Sequence, residues 1–205
     1  MELLDSFIVL EGLDGSGTTT QADILSERMR AAGFSVTETS EPTLGPIGGL
    51  IRRVLSGEVG IEPESLAMLY AADRHDHVHR SDSGILAAAD AGWVVCDRYL
   101  FSSLAYQSVQ CDYGFVLDLN RQFPLPRHLI YIDLSPEESE RRRSGRTESD
   151  IFENMQFQRR VYELYSAALD EFAESSMRIH RIEGTGSPDE VSRRIWKQLG
   201  IAPIK

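Results

Sequence analysis

The sequence predicts an α/β fold in which helices cover both faces of a five-stranded parallel sheet. Five short apolar segments alternate with segments of helical periodicity, which is the pattern of repeated strand–helix–strand units. Several of the apolar segments are continuously hydrophobic, as expected of strands that are buried on both faces. The 205 residues suffice for one hydrophobic core, so we expect residues 1–205 to form a single domain.

The predicted strands are spread along the whole chain. They are Phe7–Glu11, Ser35–Thr39, Trp93–Cys96, His128–Asp133 and Met177–Ile182. We expect Phe7–Glu11 at the centre of the sheet, with Trp93–Cys96 beside it. In sheets of this kind, ligands bind at the carboxyl ends of the strands. The residues that directly follow the strands are therefore the first candidates for a functional site.

Helices are predicted from the spacing of apolar residues and from residues that favour helix ends. The first begins at about Thr18 and stops at Gly33, a residue suited to the left-handed conformation after a helix. Two later helices begin at Ser135 and Ser187, each followed by proline and then by the glutamate of a capping box. The other predicted helices are Ile47–Leu55, Glu62–His79 and Ser83–Ala91.

Charge and composition exclude several classes of function. A formal net charge of −11 argues against broad binding of duplex nucleic acid, which requires a basic surface. The longest apolar runs, such as Phe7–Leu10, have the length of strands and are too short to span a membrane. Cys96 and Cys111 form neither a C-x-x-C pair nor a disulfide framework, which is typical of a reducing compartment. We therefore expect a cytoplasmic protein with neither nucleic acid nor a membrane as its partner.

A glycine-rich turn follows the first strand and opens the first helix. It consists of Gly12, Leu13, Asp14, Gly15, Ser16, Gly17, Thr18 and Thr19. The turn matches the P-loop pattern G-x-x-x-x-G-K-[ST] except at the lysine. Its glycines let backbone N–H groups face phosphate oxygens, and Thr19 supplies the hydroxyl that would ligate Mg²⁺. An accidental glycine spacing is the alternative; the strand–turn–helix context favours binding of ATP with Mg²⁺ in a P-loop NTPase-type three-layer sandwich.

Thr18 occupies the lysine position of this loop. That lysine normally contacts the β- and γ-phosphates, and the only lysines of the chain are Lys197 and Lys205. We expect the loop to bind phosphates through its backbone N–H groups and the helix dipole. The positive charge needed for phosphoryl transfer must then come from another part of the chain.

Several motifs resemble those of the thymidylate kinase family. Residues 11–21, Glu-Gly-Leu-Asp-Gly-Ser-Gly-Thr-Thr-Thr-Gln, are similar to its phosphate loop with the lysine exchanged. Ser40-Glu41-Pro42 resembles its Arg-Glu-Pro turn, and residues 69–74 resemble its helix ending in Asp-Arg. Residues 97–99, Asp-Arg-Tyr, and 102–107, Ser-Ser-Leu-Ala-Tyr-Gln, match that family nearly residue for residue. The similarity runs in order over essentially the whole chain.

The helix at 62–79 and the stretch at 102–107 suggest the site of a phosphate acceptor. Tyr70 and Arg74 are four residues apart, so one helix face presents an aromatic ring beside a guanidinium; a boundary tyrosine with a surface arginine is the alternative. By resemblance, Tyr70 stacks on thymine and Arg74 contacts its O4 edge. Ser103 and Gln107 share the spacing of one helix face, and by resemblance either contacts N3 and O4. The resemblance also places Tyr106 beneath the sugar, where a 2′-hydroxyl would clash.

Asp97 and Arg98 directly follow the third predicted strand. Arg98 can donate two parallel hydrogen bonds to an acceptor monophosphate, and Asp97 stands where a Walker-B-like carboxylate holds Mg²⁺ through water. A salt-bridged strand end is the alternative. By resemblance, Asp14 contacts Mg²⁺ or the sugar 3′-hydroxyl, and the substrate site also includes Glu41, Pro42 and Ser102.

An arginine cluster, Arg141-Arg-Arg-Ser-Gly-Arg146, predicts a lid at about 141–153. The glycine in this cluster favours bending, so the lid could close over ATP and stabilise charge on the transferred phosphoryl group. The three consecutive arginines cannot all face one phosphate, because successive helical residues point in different directions. Arg146 is the first choice for the catalytic cation and Arg142 the second. By resemblance, Gly15 with an arginine-rich lid is typical of family members whose basic residues lie in the lid.

The resemblance implies a nucleoside-monophosphate kinase that transfers the γ-phosphoryl group of ATP to dTMP, giving dTDP. Catalysis would depend on positioning and charge stabilisation. That family is usually homodimeric, so we expect a homodimer. One alternative is a kinase for another pyrimidine nucleotide or a deoxynucleoside. A second is a nucleotide-binding protein that transfers phosphate poorly. Thr18, Ser40 and Ile151, which replace basic residues of the family motifs, favour it, and the intact residues 97–99 and 102–107 disfavour it.

Overall fold

The computed structural model describes residues 1–142 and 148–200, and within 148–154 it describes the backbone alone. Its strands are β1 Leu3–Gly12, β2 Val36–Ser40, β3 Trp93–Asp97, β4 Leu125–Asp133 and β5 Arg178–Glu183. They form one parallel sheet in the order β2-β3-β1-β4-β5. The sheet confirms the predicted α/β class, with β1 at the centre and β3 beside it.

The helices cover both faces of this sheet. They are α1 Thr18–Ala31, α2 Pro46–Leu55, α3 Pro63–His79, α4 Ile85–Ala91, α5 Leu100–Tyr106, α6 Tyr113–Asn120, α7 Pro136–Arg142, α8 Glu148–Glu171 and α9 Pro188–Leu199. None of the described helices is long and apolar enough to cross a membrane. Two of these helices, α6 and α8, are not among those predicted from the sequence. In α8, the buried residues Val161, Leu164, Tyr165 and Ala168 have helical spacing, so the signal was present in the sequence.

The two faces of β1 divide the core into two layers. Phe7 and Val9 belong to the larger layer, which includes residues of α3, α5, α6 and α8. Ile8 and Leu10 face the opposite way and belong to a layer built with α1 and α9. All four side chains are fully buried, because helices cover both faces of a parallel sheet.

The helix ends follow the predicted signals with one difference. Ser187 and Glu190 form a complete capping box at the start of α9. Ser135 accepts the backbone N–H of Glu138 at 3.2 Å, but the carboxylate of Glu138 pairs with Arg141 at 2.7 Å. In a complete capping box, the Glu138 side chain would accept the backbone N–H of Ser135. Here it forms an ion pair with an arginine of the predicted lid instead.

Candidate active site

The glycine-rich turn joins β1 to α1 at the carboxyl end of the sheet. Gly17 has φ 95 and precedes α1, whose N-terminus has no side-chain cap among the described residues. A Cβ at Gly12 would lie 2.5 Å from Ser16 Oγ and 2.9 Å from the carbonyl oxygen of Ile132. The loop therefore tolerates no side chain at its base and leaves N–H groups at the helix start for a ligand. Both features fit a phosphate group.

Thr18 leaves this loop without a side-chain cation. It is 5% exposed at the first position of α1. Its neighbour Thr19 is exposed and donates its hydroxyl to Asp97 Oδ2 at 2.5 Å. The other carboxylate oxygen of Asp97 is buried and has no hydrogen-bond partner among the described residues. A hydroxyl beside a carboxylate is a set of hard oxygen donors, which fits Mg²⁺ at the place predicted from the sequence.

Arg98 links the end of β3 to the phosphate loop. Its backbone has φ 70, a left-handed conformation that is rare for residues other than glycine. Its guanidinium donates from Nη1 to the carbonyl oxygen of Gly12 at 2.7 Å and from Nη2 to Asp14 Oδ1 at 2.8 Å. It also lies over the ring of Tyr106, 5.3 Å from the ring centroid. The arginine thus keeps its charge beside the loop, facing a cavity.

This cavity has a volume of ≈ 360 Å³ and combines aromatic rings with a few polar groups. Its wall includes Asp14, Glu41, Pro42, Leu66, Tyr70, Arg74, Arg98, Ser102, Tyr106, Gln107 and Phe157. Burial raises the pKa of both Tyr70 and Tyr106 to about 12, so both rings are neutral. An enclosed volume with aromatic walls and two arginines suits a planar base that carries an anionic group. We call it the acceptor cavity.

Behind the acceptor cavity lies a buried network centred on Arg74. The guanidinium is 1% exposed, forms an ion pair with Glu41 at 2.7 Å and donates to Ser103 Oγ at 3.1 Å. It also donates to the side-chain oxygen of Asn120. Glu41 in turn pairs with His77 Nδ1 at 3.0 Å. The alternative of a surface arginine is therefore wrong: Arg74 is a buried ion held by several partners.

The structure separates the two residues that were expected to share a helix face. Ser103 is buried in α5 behind Arg74 and is not part of the cavity wall. Helix α5 ends at Tyr106, and Gln107 begins a short 3-10 turn at the wall of the cavity. Its side-chain oxygen is buried without a hydrogen-bond partner among the described residues. Of the pair, only Gln107 lines the acceptor cavity.

Asp14 is held by three elements at once. Its carboxylate pairs with Arg98, and its backbone N–H donates to the hydroxyl of Tyr106 at 3.0 Å. Its carbonyl oxygen accepts the hydroxyl of Ser139, a buried residue of α7. Helix α7 leads into the predicted lid. The phosphate loop is thus tied to the acceptor cavity on one side and to the base of the lid on the other.

A second cavity, of ≈ 650 Å³, lies on the other side of the phosphate loop. We call it the donor cavity; its wall includes Gly15, Ser16, Gly17, Thr20, Gln21, Glu138, Arg141, Arg142, Gly186 and Pro188. Arg142 donates to Glu138 Oε1 at 3.2 Å and to the carbonyl oxygen of Gly184 at 3.0 Å. Arg146, the first choice for the catalytic cation, lies outside the described residues.

Several residues of the site are not predicted by the sequence patterns. Phe157 of α8 lines the acceptor cavity, and Tyr165 of the same helix accepts a hydrogen bond from Arg98 at 3.2 Å. Asn120 and Ser139 contact Arg74 and Asp14. The helical spacing of α8 could have identified its buried face, but no local pattern marks Asn120 or Ser139, since their roles depend on contacts between distant segments.

Comparisons with known proteins agree with the motifs. The model of the thymidylate kinase family matches residues 10–195. A "Probable thymidylate kinase" from Methanococcus aeolicus is 41% identical over 169 residues, 82% of this chain and 81% of the relative. A "Probable thymidylate kinase" from Pyrococcus horikoshii is 43% identical over 178 residues, covering 82% and 84%. A "Thymidylate kinase" from a Synechococcus strain is 38% identical over 199 residues, covering 93% and 92%.

The buried pair of Glu41 and Arg74 yields a test of stability. We expect Glu41→Gln to lower the free energy of unfolding by about 3 to 5 kcal/mol, because it leaves a buried guanidinium without its counter-charge. Glu58→Gln is the matched control, since Glu58 pairs with Arg53 at the surface with side chains 57% and 55% exposed. The control should change stability by no more than about 1 kcal/mol. Urea unfolding measures both variants, and equal losses would show that the buried guanidinium of Arg74 does not depend on the charge of Glu41.

Proposed function

The chain belongs to the thymidylate kinase family of nucleoside-monophosphate kinases, and we propose that it transfers the γ-phosphoryl group of ATP to dTMP, giving dTDP and ADP. The observation that carries the proposal is the meeting of two cavities at the phosphate loop. Asp14 lines the acceptor cavity, and the next residue, Gly15, lines the donor cavity. A phosphate held by this loop would therefore lie beside a group bound in the acceptor cavity, as direct transfer requires.

In the acceptor cavity, the aromatic residues suit the base and Arg98 suits the phosphate. Tyr70 would stack on thymine, with Arg74 and the unpaired side-chain oxygen of Gln107 at its polar edge. An N–H such as N3–H of thymine would satisfy that buried oxygen. Tyr106 would lie beneath the deoxyribose and exclude a 2′-hydroxyl. Arg98 would bind the monophosphate, which makes it the main charged contact of the acceptor.

In the donor cavity, the backbone N–H groups of the loop would bind the phosphates of ATP. Thr19 and Asp97 would hold Mg²⁺, which, when bound, polarises the phosphates and neutralises the charge that develops on them. Asp14 would keep Arg98 oriented through their ion pair at 2.8 Å, and it would contact the sugar 3′-hydroxyl. The chain thus performs catalysis mainly by position and charge.

Because the loop has no lysine, the proposal assigns to the lid arginines the positive charge that contacts the transferred phosphate. Arg142 lines the donor cavity and could exchange its contact with Glu138 for a phosphate oxygen. Arg146 stays the alternative within the lid. We also propose that the protein is cytoplasmic, in line with its free buried thiols Cys96 and Cys111.

We further propose a homodimer, as in the family. An exposed apolar side chain outside the two cavities is that of Met68 on α3, which is 51% exposed. Burial of such side chains at a self-complementary contact would favour association. Sedimentation velocity should give twice the chain mass of 23.0 kDa, and Met68→Glu should shift the mass towards one chain. A wild-type protein that sediments as a monomer at all concentrations would refute this proposal.

The substrate is tested by an ADP-release assay with dTMP, dUMP, UMP, CMP and thymidine. We expect dTMP to be turned over best and UMP poorly, since Tyr106, which lies beneath the sugar in this proposal, would clash with a 2′-hydroxyl. dTMP should also raise the melting temperature, because a ligand that binds the folded state stabilises it. Equal turnover of UMP and dTMP would remove the proposed role of Tyr106. Tight binding of both nucleotides without transfer would favour a nucleotide-binding protein instead of a kinase.

The source of the missing cation is tested by arginine replacement in the lid. We expect alanine at Arg142 or Arg146, whichever contacts the transferred phosphate, to lower kcat by about 10³-fold with little change in the affinity for dTMP. Thr18→Lys in that variant should restore part of the loss, because both cations serve the same phosphate. Arg159→Ala is the control, since Arg159 pairs with Glu137 at the surface. Unchanged kcat after joint replacement of residues 141, 142, 143 and 146 would refute the compensation.

A further inference from the structure

The carboxyl group of Glu11 lies at the end of β1, directly before the phosphate loop, and the reaction proposed above gives it no role. It is fully buried and accepts four hydrogen bonds. Oε1 accepts the backbone N–H groups of Tyr99 at 2.9 Å and of Ser102 at 3.0 Å. Oε2 accepts the hydroxyl groups of Ser102 at 2.5 Å and of Tyr165 at 2.9 Å. Four donors on one carboxyl group favour its ionised form.

These hydrogen bonds hold the turn that carries Arg98. The backbone N–H of Arg98 donates to the carbonyl oxygen of Leu10 at 2.9 Å, and the next N–H, that of Tyr99, donates to Glu11. Two consecutive residues of the turn, Arg98 and Tyr99, are therefore hydrogen-bonded to the end of β1. These bonds hold the turn in the form in which the backbone of Arg98 has φ 70. The hydroxyl of Tyr165, which donates to Glu11, also accepts Nη1 of Arg98 at 3.2 Å. Backbone and guanidinium of Arg98 thus both depend on this carboxylate.

We propose that Glu11 is a positioning residue of the acceptor site: its carboxylate fixes residues 98–102 and, through the hydroxyl of Tyr165, directs the guanidinium of Arg98 to the acceptor phosphate. The inference rests on the proposed function, since it assigns Arg98 to the phosphate of dTMP. A protonated Glu11 has fewer acceptor positions for the same four donors. The ionised carboxyl group is therefore the form that supports acceptor binding.

The surroundings of Glu11 make this control sensitive to pH near neutrality. Burial raises the pKa of Glu11 to about 7, although the charge of Arg98 and the hydrogen bonds from Ser102 and Tyr165 lower it. Burial also raises the pKa of the facing Tyr165 hydroxyl and Cys96 thiol well above their usual values, so both stay neutral in this range. Arg98 is the facing cation, and it pairs in turn with Asp14. Acceptor binding should weaken as the pH falls below about 7, because the competent carboxylate is then lost.

Glu11→Gln tests the proposal by the pH dependence of kcat/KM for dTMP. The amide has the size of the carboxyl group but cannot ionise. Its NH₂ group is a donor and would face the donors that now bind one of the two carboxylate oxygens. We expect kcat/KM for dTMP to fall by at least about 10-fold at pH 8, as for the loss of charged hydrogen bonds, with a smaller change in KM for ATP. The decline of the wild-type enzyme between pH 8 and 6 should be strongly reduced in the variant. The phosphate of dTMP itself titrates in this range, but it does so equally with every variant.

Tyr165→Phe gives a second test that retains the carboxyl group. It removes one donor to Glu11, which raises the pKa of the carboxyl group, so the acidic decline should move to higher pH. Tyr113→Phe is the matched control: it removes a hydroxyl that donates to Glu171 at the surface at 2.7 Å and should leave the pH profile unchanged. If Glu11→Gln fails to fold, the shift in Tyr165→Phe decides the question.

Two outcomes would overturn the inference. One is a pH profile of Glu11→Gln that coincides with that of the wild-type enzyme. The other is a Tyr165→Phe profile that is not displaced from that of Tyr113→Phe. Failure of the proposed function is distinguishable, because the wild-type protein would then not phosphorylate dTMP at any pH. In that case calorimetric binding of dTMP at pH 6 and pH 8 to the same variants tests Glu11, with a larger weakening at pH 6 expected where the carboxyl group is present than in Glu11→Gln.

Discussion

The turn that follows β3 is hydrogen-bonded to the end of β1, and the arrangement of the site depends on these hydrogen bonds. The two strands are neighbours in the parallel sheet, so the phosphate loop after β1 and the turn after β3 leave the sheet side by side. Arg98 spans the gap by donating to the carbonyl oxygen of Gly12 and to Asp14. Because its backbone is held in a left-handed conformation, the guanidinium points back over the loop. Donor and acceptor cavities therefore adjoin.

Buried charge shapes the wall of the acceptor cavity. Arg74, Glu41 and His77 form a connected network with few solvent-accessible atoms, and each ion in it has at least one partner. Removing charges from water is costly, so such a network is a poor source of net stability compared with apolar packing. Its directional hydrogen bonds can instead fix a single arrangement of the wall. The same logic applies to Glu11, whose four donors offset part of the cost of burying a carboxylate beside the phosphate loop.

The proposed use of lid arginines in place of the loop lysine has a chemical consequence. A loop lysine is a compact point charge, whereas a lid arginine is a planar group that must be brought to the phosphate by its backbone. The described part of the lid base shows how this can be arranged. Ser139 of α7 hydrogen-bonds to Asp14, and Arg142 at the end of the same helix contacts the carbonyl oxygen of Gly184. The base of the lid is thus fastened to both the phosphate loop and the β5–α9 connection.

The sequence alone determined the parallel sheet, its central strand, the phosphate loop and the segments that carry Tyr70, Arg98 and Tyr106. These follow from local rules, since strand hydrophobicity, glycine spacing and residues at strand ends are all properties of neighbouring residues. Tertiary structure decided that Arg74 is a buried ion, that Ser103 lies behind it, and that Glu11 anchors the turn after β3. Each of these depends on partners far apart in the chain, such as Asn120 for Arg74 and Tyr165 for Glu11. No local pattern encodes such pairs, because burial and hydrogen-bond partners are fixed only when separate segments pack together.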